Sequence, residues 1–265
     1  MGILNMTPDS FSDGGAFVTV NPDRSETIDV DRAVAAAEQM FADGATYVDV
    51  GGESTRPHAT PLNSDQEIPR VEGVLQRLIP AHPGKISVDS YHPETIQHFA
   101  DQQLGEFIIN DVTGFNNGMM VKVAADTGFP IICSQFPSPN FSYIPLVHQG
   151  DMLDNFQAVV RDLKIMEEKL LDAGIPPEKM WFDPGIGFGK TMELNNQLVE
   201  FAFYVPEWRV VIGYSRKRFL GDDRMEPEPN LAAAKRAIDN GAAILRVHDV
   251  KAHADFLQQA NQSSS

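Results

Sequence analysis

Short apolar runs alternate with amphipathic stretches along the whole chain. The runs Gly2–Asn5, Thr46–Val50, Lys85–Val88, Phe107–Asn110, Pro130–Cys133, Met180–Phe182, Val210–Gly213 and Ala243–Val247 predict strands. Between them, apolar residues recur at i, i+3 and i+4, which predicts helices over stretches such as Asp31–Asp43, Pro93–Leu104, Asp151–Ala173, Met192–Phe201 and Asn230–Asn240. Several of these close on glycine, as at Asp43-Gly44, Ala173-Gly174 and Asn240-Gly241. Strands separated by helices point to a parallel sheet closed into a (β/α)8 TIM barrel, with an open doubly wound sheet as the alternative. The length of 265 residues suits such a barrel as one domain, taken here as residues 1–257. Ser10–Ile28, Gly51–Asn63 and Gln135–Gly150 lack periodicity and read as loops, and Gln258–Ser265 reads as a frayed tail.

Polar residues fall where these strands end. Asn5, Asp49, Asp89, Asn110, Asp111 and Asp183 lie at strand ends, Ser215-Arg216-Lys217 follows the seventh strand, and Arg246 and His248 close the eighth. In an α/β barrel those ends converge on one mouth, the place of the active site. Helix capping accounts for an Asp, Asn or Ser taken singly, but not for Lys217, Arg246 and His248. Carboxylates leaving apolar strands, as at Asp89 and Asp183, must accept hydrogen bonds or neutralise. With the Asn110 amide they form an array suited to a flat heterocycle bearing several N–H donors. Arg246 and His248 are two apart and share one side of an extended strand end. Together with Asn5 on the neighbouring first strand they suit a diphosphate, with Mg²⁺ on the Asn5 amide oxygen.

Gly185-Ile186-Gly187-Phe188-Gly189-Lys190 lacks P-loop spacing and reads as a flexible turn with a pocket-facing Phe188 and a solvated Lys190. Lys217 is expected to contact the heterocycle, and the start of the following helix to hold a carboxylate. Thr7–Gly15 and Gly51–Pro57 combine glycines with polar residues, as substrate lids do.

Composition narrows the class. A net charge of −16, from 21 basic and 37 acidic side chains, argues against a nucleic-acid partner. It also means that an anionic ligand needs a local basic pocket. The single Cys133 excludes an intrachain disulfide and fits a reducing compartment. No apolar run approaches a membrane span, no secretion signal is visible, and a cytoplasmic protein is expected.

Taken together, the motifs resemble the dihydropteroate synthase family. They are Gly2-Ile3-Leu4-Asn5-Met6-Thr7-Pro8-Asp9-Ser10-Phe11-Ser12-Asp13-Gly14-Gly15, Val48-Asp49-Val50-Gly51-Gly52-Glu53-Ser54-Thr55-Arg56-Pro57, Ser87-Val88-Asp89-Ser90, Ile109-Asn110-Asp111-Val112-Thr113-Gly114, Phe182-Asp183-Pro184-Gly185-Ile186-Gly187-Phe188-Gly189-Lys190-Thr191, Ser215-Arg216-Lys217 and Arg246-Val247-His248-Asp249-Val250. The resemblance implies condensation of a pterin diphosphate with p-aminobenzoate in folate synthesis, and sensitivity to sulfonamides. It assigns Asp89, Asn110, Asp183 and Lys217 to the pterin, and Asn5, Arg246 and His248 to the diphosphate, with Mg²⁺ at Asn5. Phe11, Thr55, Arg56, Pro57, Phe188 and Lys217 would frame the p-aminobenzoate. Catalysis would rest on Asp89, Lys217, Arg246 and His248, through a dissociative path in which diphosphate leaves first. A homodimer is also implied. The chain departs from the family pattern at Ser134-Gln135-Phe136-Pro137, where His-Met-x-Gly is common, and at Arg218, where a small hydroxyl residue is common. The alternatives are a methyltetrahydrofolate-binding or methyl-transfer barrel, and a catalytically silent paralogue.

Overall fold

The computed structural model describes residues 1–8, 17–23, 26–55, 59–136 and 153–263, with the side chains of 261–263 excepted. Strands β1 (Gly2–Asn5), β4 (Val48–Gly51), β5 (Ile86–Asp89), β6 (Ile108–Asp111), β7 (Ile131–Ser134) and β8 (Met180–Asp183) pair in that order as a parallel sheet. The short strands β9 (Val211–Ile212) and β10 (Ile244–Leu245) pair with each other, also in parallel. Parallel bridges Phe182↔Val210 and Gly2↔Val247 join this pair to β8 and to β1, so the sheet closes on itself. The chain is therefore a (β/α)8 barrel, and the open-sheet alternative falls away. All eight staves run the same way, which brings their C-terminal ends to one mouth.

The staves are joined by helices on the outside. These are α1 (Val30–Ala42), α2 (Ser64–Ala81), α3 (Pro93–Asp101), α4 (Gly118–Thr127), α5 (Phe156–Asp172), α6 (Met192–Gln197), α7 (Phe201–Tyr204), α8 (Pro227–Asp239) and α9 (Val250–Ser263). Helix α2 forms despite Pro69 and Pro80, which obscure its pattern in the sequence. Its start is fixed by Asn63, whose side chain accepts from Gln66 N while the Gln66 side chain accepts from Asn63 N, a capping box. Buried side chains on the inner faces of the helices pack against the strands as one large core, and Ile108, Ile132, Trp181 and Val211 form a second small cluster.

The structure differs from the sequence reading in places. Part of the predicted loop Ser10–Ile28 is an antiparallel hairpin of β2 (Val18–Val20) and β3 (Glu26–Ile28), whose three-residue strands are too short to show a period. Helix α9 runs on to Ser263, past Gln258 where the sequence reading expected fraying to begin, although Gln258, Gln259 and Ala260 are exposed. The predicted loop Gln135–Gly150 falls mostly outside the described residues.

Gly185 has φ +67°, and a Cβ there would sit 2.0 Å from the Gln135 carbonyl oxygen. Gly185→Ala therefore imposes both a left-handed backbone and a backbone clash, and should cost about 2 kcal/mol or more. Urea unfolding checks this, and a midpoint equal to that of the parent chain would contradict it.

Candidate active site

Asp49 is the first residue to account for. It lies inside β4, not at its end, with Val48 and Val50 on either side, and its carboxylate is fully buried. Such a group needs partners. The Arg246 guanidinium supplies one, with Nε donating to Asp49 Oδ2 at 2.6 Å. The Asn110 amide supplies another, donating to Oδ1 at 3.2 Å. Arg246 Nη2 also donates to Asp89 Oδ2 at 2.7 Å. One cation thus bridges two carboxylates from adjacent strands, in register at Asp49↔Ser87 and Gly51↔Asp89.

The electrostatics follow from this packing. Burial and the adjacent Asp49 carboxylate push the Asp89 carboxyl well above the usual carboxylate range, and Arg246 pulls back only part of that shift. Asp183, ending β8, is raised by burial and drawn down by Lys217, while one of its oxygens accepts Gly185 N at 2.7 Å. Burial lowers the Lys217 ammonium to about 8, with Asp183 opposing that fall and Arg246 adding to it. Gly213 makes room for this group: a Cβ there would lie 3.4 Å from Asp183 Oδ2 and 3.7 Å from Lys217 Nζ. Lys217 is aimed inward by Arg216, which takes the left-handed conformation at φ +58°. The turn is pinned by Asn230, whose side chain accepts Arg216 N at 2.9 Å. Lys217 Nζ donates to the Ile186 carbonyl and lies 5.5 Å from the centre of the Phe188 ring, a cation–π contact.

Asp89, Asn110, Asp183, Lys217 and Arg246 thus gather at one mouth. His248 joins them beside Ser215, whose Oγ accepts the His248 backbone N–H at 3.3 Å and lies 3.0 Å from Nδ1, which orients the ring. Asn5 ends β1, next to Gly51 across the sheet, and is half-buried. Thr55 follows β4 and is half-buried. Phe11, Arg56 and Pro57, assigned from the sequence to the p-aminobenzoate pocket, lie outside the described residues. Among the described residues no cluster of three His, Cys, Asp or Glu side chains could hold a metal, so a cation would rely on Asn5 and on ligand oxygens.

Other readings are corrected here. Lys190 is not solvated: it is 1% exposed, and Nζ donates to Gly185 O at 2.8 Å and to Gln135 O and Phe188 O at 3.3 Å each. The Gly185–Lys190 turn is accordingly pinned rather than flexible, with Gly187 N also donating to Asn195 Oδ1 at 2.7 Å. Lys217 is followed by a single 3₁₀ turn over Arg218–Leu220, and α8 starts only at Pro227, so no long helix begins at Lys217 to hold a carboxylate. Asp111 is taken up by its own turn, accepting from Thr113 N, Thr113 Oγ1 and Phe115 N. At the unusual segment, Ser134, which ends β7, and Gln135 and Phe136, which follow it, are all buried, and Phe136 packs on Phe188 with ring centres 5.7 Å apart. Sequence reasoning placed Asp49 only among strand ends and gave it no function. Its signal was a charged residue inside the apolar run Tyr47-Val48-Asp49-Val50.

The fold and mouth define a barrel enzyme of the pterin-binding class, and the model of the pterin binding enzyme family matches residues 1–248. The relatives narrow this. A dihydropteroate synthase of Streptococcus pyogenes serotype M3 is 37% identical over 99% of this chain and 94% of its own. That of Escherichia coli K12 is 38% identical over 95% of this chain and 86% of its own. The solved Yersinia pestis dihydropteroate synthase with a sulfonamide drug superposes with a TM-score of 0.86 at 31% identity, covering 100% of this chain and 93% of that one. The Xanthomonas albilineans enzyme with 4-aminobenzoic acid gives 0.80 at 34% identity, covering 100% and 92%. The chain belongs to the dihydropteroate synthase family.

Two outcomes follow from the geometry. Asp49→Ala takes from Arg246 one of its two carboxylates and from the Asn110 amide its acceptor, and should cost about 1–3 kcal/mol of stability, read by denaturant unfolding. Because the Asp89 pKa is raised, its carboxylate fraction falls as pH drops through that raised value. If the carboxylate is the working form, kcat/KM should decline on the acid side well before pH 4, about tenfold per unit. A profile flat down to the ordinary carboxylate range would contradict this.

Proposed function

We propose that this chain is a dihydropteroate synthase, joining 6-hydroxymethyl-7,8-dihydropterin diphosphate to p-aminobenzoate and releasing diphosphate. The observation that carries the reading is the Arg246 bridge, which brings a cation and two carboxylates together at the barrel mouth. In this reading Asp89, Asn110 and Asp183 accept and donate along the polar edge of the ring, with Lys217 beside it. Asn5, Arg246 and His248 hold the diphosphate against the protein's overall negative charge. Phe188, Thr55 and Lys217, with Phe11, Arg56 and Pro57, frame the aniline substrate.

The reaction proceeds by departure of the leaving group. The bond from the pterin methylene to the diphosphate oxygen breaks and the electron pair leaves with the diphosphate, where Arg246 and His248 meet the growing charge. The cationic methylene faces the Asp89 carboxylate. The aniline nitrogen then forms the new C–N bond and gives up a proton to the departed diphosphate or to solvent. No covalent enzyme intermediate is required, and the one thiol, Cys133, is buried with its pKa pushed well up by that burial.

Mg²⁺ fits the donor set as a shared ligand. Asn5 offers a half-buried amide at the mouth, and among the described residues no hydrogen bond engages its side chain. Bound there with diphosphate oxygens, the ion would neutralise leaving-group charge. The reading also carries a homodimer, to which the exposed Phe203 and Tyr204 of α7 offer apolar surface, and a cytoplasmic location. No helix among the described residues is long and apolar enough to cross a membrane.

Incubation with the pterin diphosphate and labelled p-aminobenzoate should yield dihydropteroate and diphosphate in equal amounts, and absence of both would defeat the reading. Asp89→Asn should lower kcat by about a hundredfold or more while weakening pterin binding far less, since its charge matters most as the cation forms. Equal losses in kcat and in calorimetric affinity would remove Asp89 from that role.

A further inference from the structure

Lys190 is a buried cation to which the reaction above gives no part. An ammonium in such a place is costly unless it is hydrogen-bonded. Here it has a nest of three carbonyls, Gly185 O at 2.8 Å and Gln135 O and Phe188 O at 3.3 Å each, which matches the three donors of Nζ. Burial still lowers its pKa to about 7, with Asp183 opposing that fall and Lys217 adding to it. Two of the carbonyls belong to the turn over residues 185–190, and the third follows β7. That third anchor is itself fixed. Gln135 N donates to Asp183 O at 2.8 Å, and the Gln135 side chain donates to Asp162 Oδ2 of α5 at 3.0 Å.

The same turn meets Lys217. Ile186 O accepts from Lys217 Nζ, the Phe188 ring lies 5.5 Å from that ammonium, and a Cβ at Gly187 would stand 3.2 Å from Lys217 Cδ. One lysine thus holds the turn and the turn holds another. Gly185, Gly187 and Gly189 all have positive φ, so this backbone bends readily and its shape depends on outside anchors. Asn195 supplies one more, accepting Gly187 N at 2.7 Å and donating to Lys190 O at 3.1 Å. The other groups of the mouth are held differently. Asp183 rides on β8, in register with Ser134 of β7, and Arg246 is gripped by Asp49 and Asp89.

We propose that Lys190 is a positioning residue for the pterin ring: by gathering the Gln135, Gly185 and Phe188 carbonyls it sets the turn that places the Lys217 ammonium. This rests on the synthase reading. Loss of the nest frees Lys217 and leaves the diphosphate side gripped.

The test is calorimetry of the pterin diphosphate on the full chain, with inhibition of turnover by inorganic diphosphate. Lys190→Met keeps the length of the side chain and removes the ammonium. It should weaken pterin diphosphate binding on the order of tenfold, the loss of one charged contact at the ring. The inhibition constant for inorganic diphosphate should move less than about twofold, because the sites are independent. In a Lys217→Met background Lys190→Met should cost less than about twofold, because its route is already lost. A lysine that only stabilised the fold would shift the urea midpoint and leave both ligands alone. Asn195→Ala, which loosens the same turn, should repeat the pattern and carries the test if Lys190→Met does not fold. Pterin diphosphate binding unchanged in the folded variants, equal losses for both ligands, or an undiminished loss in the Lys217→Met background would overturn the inference while the parent still turns over. A parent chain without turnover would instead overturn the synthase reading, and this role with it.

Discussion

A guanidinium shared between two carboxylates is the constraint on which this barrel mouth depends. Asp49 is fully buried, and a lone charge there would be too costly to keep. Arg246 makes it tolerable, and in doing so fixes its own side chain against Asp89. Asn110 adds a neutral donor to the same carboxylate. With Asp183 and Lys217 close by, the site is a lattice of opposite charges with little water to screen them. That is the arrangement the proposed reaction calls for, in which a neutral ring becomes a cation as an anion departs. The net charge of −16 does not contradict an anion site, because the cations are concentrated where they act.

The fold delivers these groups through strand order and a few strained turns. Parallel staves put each polar residue at the same end, and the parity of each strand decides which side chains face inward. The left-handed Arg216 turns Lys217 into the mouth. Gly185 lets the chain pass within contact of the Gln135 carbonyl, which Lys190 also binds. The segment after β8 is thereby locked to the segment after β7, and Phe188 is presented to Lys217 and Phe136.

Much of this was legible in the sequence. The staves were visible because buried parallel strands are short unbroken apolar runs, and Asp89, Asn110, Asp183 and Arg246 because polar residues recurring at strand end after strand end, with a cation among them, exceed what helix capping explains. Parts were not legible, for identifiable reasons. Asp49 looked like another strand end although it stands inside the apolar run Tyr47-Val48-Asp49-Val50, because its partner Arg246 lies far along the chain and only the fold brings the two together. Lys190 looked like a surface lysine, because carbonyls that come together from distant loops leave no local pattern. Helix α2 was obscured by prolines that it tolerates.

The closure of the barrel has a mechanical side. Asp49, Asp89, Asn110 and Asp183 ride on the six-stranded sheet, whereas Lys217, Arg246 and His248 follow the β9–β10 pair, which single bridges join to β8 and β1. Anionic and cationic halves therefore sit on two pieces of framework that meet along a seam. The contacts of Arg246 with Asp49 and Asp89 act as a fastener across that seam. A ligand anion that competes for Arg246 draws on the same fastener, so occupancy of the mouth is felt in the framework itself as well as in the pocket.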